Sequence, residues 1–294
     1  MRRFILLAIL GSATLSNVAL QAQDGADKLA AQKKAARENW ALFEAGEAAS
    51  QETEHLLIVA PKAMERRLRE LGVNLEKGYS LAAKAVQSKP NEVPWPGKLT
   101  VYLVAERDQF TTFVRRVEKR RLEEDETGSH LVEGELPHAI AGPARAKGDL
   151  SLGHEAVAQI GAALLQQKAG AKVPLPEWLA PGFGRATVWR AYPTDKNVIA
   201  DRRLVKALIA GKKRTASDVW NGMLESEEAI VLRASLAEFM AFGPGAAKFP
   251  ALLSGFKPAE NQESRTIAQA LESANLDPKA IEARWGTWAL GSGK

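Results

Sequence analysis

A chain of 294 residues has room for one large domain or two small ones, and either is long enough to bury a sizeable core. Its 46% hydrophobic and 26% charged residues are ordinary for a globular protein and point to no long disordered span. The formal charge of +5, from 40 basic and 35 acidic residues, is too small to argue for a nucleic-acid partner. The basic residues also alternate with acids, so the run from Arg115 to Glu126 reads as a solvated helix face followed by an acidic loop. With no cysteine, the chain has neither a disulfide nor a cysteine-linked lipid.

The N-terminus has the pattern of an export signal. Arg2 and Arg3 precede the apolar run Phe4 to Leu10, and small and polar residues continue to Ala22, so the mature chain is expected to begin near Gln23. The apolar run is shorter than the roughly 20 residues that span a bilayer, and no later stretch is expected to span one. Removing residues 1–22 takes away two arginines and no acid. That leaves 38 basic against 35 acidic residues, or +3.

Asp27 to Ala49 is rich in Ala, Lys and Glu and predicts a peripheral helix. Glu54 to Ala60 predicts a strand, and Pro61 to Val86 a helix whose apolar residues recur at helical spacing. Lys98 to Val104 is a β-branched and aromatic strand, followed by a helix opened by Asp108. Ser129–Val132 and His138–Ala141 are short strands, the second expected at the sheet edge, lining a cleft. From Leu150 onward the pattern is helical: Gly153–Gln167, Trp178–Ala191, Val198–Ala210, Ser217–Met223, Glu225–Phe242 and a last helix started by Asp277-Pro278. Trp95, Trp178 and Trp189 are read as core before groove lining.

The chemistry centres on His154-Glu155-Ala156-Val157-Ala158. Two histidines at i and i+4 share one helix face and can hold one zinc ion, while the glutamate between them activates a bound water. Here only the first histidine is present, because Ala158 occupies the second ligand position. Downstream, Trp178-Leu179-Ala180-Pro181-Gly182-Phe183-Gly184 resembles the W-L-x-E-G-x-A helix that carries a third zinc ligand, with Pro181 in place of the glutamate. Glu177 is a substitute ligand by spacing, although its position before Trp178 argues against that role. No G-x-S-x-G elbow and no phosphate loop is present.

The order of these segments, from about residue 54 to 290, resembles the exported bacterial peptidase MA-like branch of the gluzincin metallopeptidases. The tail resembles it too, from Phe239-Met240-Ala241-Phe242-Gly243 through Trp285-Gly286-Thr287-Trp288. The resemblance implies an α+β, zincin-like fold: a small N-terminal mixed sheet with helices, then a mostly helical C-terminal half carrying the motif helices. It implies four segments: a signal peptide (1–22), an N-terminal helical extension (23–53), a sheet-containing subdomain (54–149) and a helical subdomain (150–294). It makes Glu155 a vestigial general base and His154 a vestigial first ligand, with Ala158 and Pro181 as lost ligands. Trp178, Gly182 and His138 become cleft candidates.

The leading expectation is therefore an exported pseudopeptidase without zinc or peptidase activity, whose cleft binds another exported protein or peptide. Two alternatives stay open at this point: an active metal-dependent hydrolase using zinc held by His154 and Glu177, and a structural cell-envelope protein.

Overall fold

The fold, taken from a computed structural model, is α+β. Residues 12–89, 92, 94–146, 148–211, 214–224, 226–260 and 262–291 are described, with only the backbone helix described for 12–26 and 226–227. The expected signal peptide at 1–22 therefore lies outside the residues whose side chains are described.

Helix α1 (Ser12–Ala41) ends before Glu44 and Gly46, both of which adopt positive φ. The chain then forms β1 (Ala48–Glu52) and β2 (Leu56–Pro61). A 3-10 turn at Lys62–Arg67 leads into α2 (Leu68–Ala85), so the predicted helix is split rather than continuous from Pro61. Next come β3 (Leu99–Leu103), α3 (Arg107–Arg116), β4 (Gly128–Leu131) and β5 (His138–Ala141).

The helical half comprises α4 (Leu152–Ala169), α5 (Leu179–Ala191), α6 (Lys196–Ala210), α7 (Ala216–Trp220), α8 (Ser226–Ala241), α9 (Phe249–Gly255), α10 (Ile267–Ser273) and α11 (Pro278–Gly291). Asp277 caps α11 as expected, its carboxylate accepting from the backbone of Lys279 and Ala280. No single helix among the described residues is long and apolar enough to cross a membrane.

The sheet order is β1-β2-β3-β5-β4, with β2, β3 and β5 parallel and the two outer strands antiparallel to their neighbours. This corrects two expectations. His138–Ala141 lies inside the sheet, and Gly128–Leu131 is the edge strand. The segment 23–53 is not peripheral either: it supplies β1, and its Trp40 and Phe43 are each only 3% exposed.

The sheet has a core on each face. On one side Leu56, Ile58, Val101, Ala139 and Ala141 pack under α2 and α4 and continue into the helical half. On the other side Leu57, Val59, Tyr102 and Ile140 pack under α1 and α3 with Trp40, Phe43, Phe110 and Phe113. Alternating side chains of the parallel strands feed the two cores in turn. Gln32 fastens α1 down: its side-chain amide donates to the Lys98 carbonyl and accepts from the Lys98 N–H at 3.1 Å.

Candidate functional site

Helix α4 starts at Ser151, whose hydroxyl accepts from the His154 backbone. This places His154 and Glu155 in the first turn, and they point to different surroundings. The half-buried His154 ring packs on Tyr192, at the end of α5, with ring centroids 4.3 Å apart. The Lys77 ammonium lies over the same Tyr192 ring, 5.5 Å from its centre. Desolvation pushes the His154 imidazole below its ordinary pKa, and the nearby Asp195 carboxylate offsets this in part.

Glu155 is buried and turned toward the edge strand. Its carboxylate accepts from the Thr127 hydroxyl at 3.2 Å and from the Gln159 amide at 2.7 Å. The Gln159 oxygen in turn faces the His130 Nδ1 at 3.0 Å. A Cβ on Gly128 would fall on the Glu155 carboxylate, so the strand approaches the helix closely only because residue 128 is glycine. Burial raises the Glu155 pKa, while the Gln159 and Thr127 bonds and the Arg185 charge act the other way. Burial likewise lowers the pKa of His130. These groups form a clasp between α4 and β4.

The remaining motif positions are packing positions. A Cβ on Gly184 would come within 2.5 Å of the Ala158 carbonyl, and one on Gly161 within 2.8 Å of the Thr187 hydroxyl, so α4 and α5 meet almost backbone to backbone. Pro181 is exposed in the first turn of α5, where a helix has no acceptor for its N–H groups. Tyr192, which follows the last residue of α5, packs on His154 at the opposite end of that helix from Pro181. Glu177 is exposed, with no ion pair among the described residues.

Among the cleft candidates, Trp178 is buried at the start of α5, and Gly182 lies against the Arg233 carbonyl, which a Cβ would approach to 2.6 Å. His138 is on the far face of the sheet. There it packs edge-on against Phe113 and Tyr102, with its Nε2 3.4 Å from Glu118 Oε1. Burial would raise the Glu118 pKa, but His138, Ser129 and Arg120 outweigh it and hold that carboxyl below its usual range. His138 therefore belongs to a second polar cluster, separated from His154 and Glu155 by the sheet.

These residues do not fit a zinc ion. Among the described residues no group of three or more His, Asp or Glu side chains is disposed to hold a metal. His154 has an aromatic neighbour instead of a second ligand, and the Glu155 oxygens are already engaged. Of the clasp partners, Gln159 was open to discovery in the sequence as the i+4 neighbour of Glu155. Thr127, Gly128 and His130 were not, because strand order is needed to bring them there. No protein-family model matches the chain, and no curated protein matches it at a significant level.

Proposed function

We propose that the chain is an exported, non-catalytic protein on a zincin-like frame that captures an extended peptide along the open edge of β4. The observation that supports this reading is the clasp. The glutamate that would activate a metal-bound water is instead engaged by Thr127 and Gln159 and buried against a glycine of the edge strand. Ala158 stands at the second ligand position of the motif, and Pro181 lies at the far end of α5 from His154, so neither supplies a ligand. The outer edge of β4 makes no backbone hydrogen bond to another described segment, and Leu131 at the end of the strand and Leu136 in the connection to β5 are exposed. An open edge offers main-chain pairing, and flanking apolar side chains offer selectivity.

Two measurements on the purified chain test the proposal. After incubation with zinc and desalting, elemental analysis is expected to find no stoichiometric metal. In a peptide-array binding assay, Leu131→Asp combined with Leu136→Asp is expected to abolish capture. Retention of one zinc per chain that is lost in His154→Ala, together with peptide cleavage lost in Glu155→Gln, would overturn it in favour of a hydrolase. Peptide capture unaffected by the β4 substitutions would remove the edge from the reading.

A further inference from the structure

On the α1 face of the sheet, far from α4, lies a groove of about 340 Å³. It arises because α1 crosses the sheet over β2 and β3, fastened by Gln32 to Lys98 and by Asn39 to Tyr102, and leaves the β1 residues Ala48 and Ser50 uncovered. Its floor is apolar and buried: Ala36, Trp40, Leu57 and Val59. The Trp40 indole N–H is already engaged with the Gly46 carbonyl at 2.9 Å, so the ring leaves no free donor in the floor.

The rim is basic. Lys33 and Arg37 line the groove one helical turn apart on α1. Lys33 is paired with Glu52 at 2.7 Å, and Glu52 also lies 3.3 Å from Lys98. Arg37 is exposed and has no ion-pair partner among the described residues. Lys33 and Arg37 are the charged residues that line the groove, and Glu52 offsets Lys33, so the mouth keeps one positive charge, that of Arg37.

We infer that this groove binds a single-chain anionic amphiphile, a medium-chain carboxylate, with its chain on the Trp40–Leu57–Val59 floor and its carboxylate on Arg37. The volume is at the low end of the roughly 300–1,000 Å³ typical of small-molecule sites. It suits one short acyl chain and is too small for a protein helix or a two-chain lipid. A guanidinium pairs a carboxylate through two parallel N–H bonds, which gives the head group an orientation as well as charge.

Isothermal titration of the full chain with decanoate below its micelle concentration tests the inference. Saturable one-to-one binding is expected, roughly an order of magnitude weaker for octanoate because two methylenes are lost. Arg37→Glu, a change at an exposed position, should weaken decanoate at least tenfold and leave decanol nearly unaffected. Ala48→Trp, which fills the groove from the exposed strand, should abolish both. Sedimentation with phosphatidylglycerol vesicles should show no binding. The inference fails if decanoate does not bind, if its affinity ignores both substitutions, or if the chain takes up vesicles but not decanoate.

Discussion

At the scale of single residues, Glu155 shows how a change of surroundings alters the role of a side chain. A carboxyl whose pKa is raised by burial contributes stability that is fully present below its unfolded value, about 4.3, and is lost as pH rises through its folded value. Glu155 thus becomes an increasing cost toward neutral pH. Glu155→Gln removes the charge and keeps the shape: the amide oxygen can accept from Gln159, and its nitrogen can donate to the Thr127 hydroxyl. The substitution is expected to stabilise the chain by on the order of 1 kcal/mol at neutral pH and to be near neutral below about pH 4.3. Urea midpoints for both proteins across that range decide the matter, and a parent that is the more stable at neutral pH would show that the clasp depends on the ionised carboxylate.

That residues 154, 155 and 158 share one helix, and that 181 lies near the start of the next, was legible in the sequence because helical spacing is a local property. Where Glu155 would point was not, since that depends on which strand ends up beside α4. The same limit explains His138. Pairing of Leu131 with His138 sets His130 opposite Ala139, and strand alternation then sends the two histidines to opposite faces of the sheet. Nothing in the spacing between them fixes that parity.

Among the elements, α4 and α5 depend on glycine for contact. At Gly184 an added Cβ meets the Ala158 carbonyl, a backbone atom that cannot turn aside, so Gly184→Ala must force the helices apart. A loss of about 1–3 kcal/mol is expected. Gly286, inside α11, supplies the contrast, because a Cβ there reaches only an Ile209 methyl at 4.0 Å. Gly286→Ala is expected to stabilise by about 0.5–1 kcal/mol through the lost freedom of glycine in the unfolded chain. Opposite signs in chemical denaturation of the two variants would bear out this account; equal effects would contradict it.

Most helices were readable from apolar spacing and caps, Asp277-Pro278 among them. Strand β1 was not. Ala48-Ala49-Ser50-Gln51-Glu52 carries no β-branched or aromatic residue and is composed like the helix before it. It becomes a strand because positive φ at Glu44 and Gly46 turns the chain back, and because β2 offers an unpaired edge.

For the whole molecule, the sheet separates two cores of unequal size, and the smaller depends on α1. Deleting residues 1–45 would remove Ala36, Trp40 and Phe43 and uncover Leu57, Val59, Tyr102 and Ile140 on a sheet face. Exposed apolar area on that scale drives association. The shortened chain is expected to bind a hydrophobic dye, sediment as aggregates and lose its cooperative urea transition. A monomeric product with an unchanged midpoint would mean that the smaller core contributes little.

Helix α4 has a consequence of a different kind. From Glu155 to Leu165 it is buried except for a partly exposed Gln159, enclosed by the sheet, α2 and α5. A helix held on every side has no local route by which its amide protons can meet water. Their exchange with solvent must wait for the cooperative opening of the fold, so in deuterated buffer the motif helix will keep its protons after the outlying α10 and α11 have lost theirs.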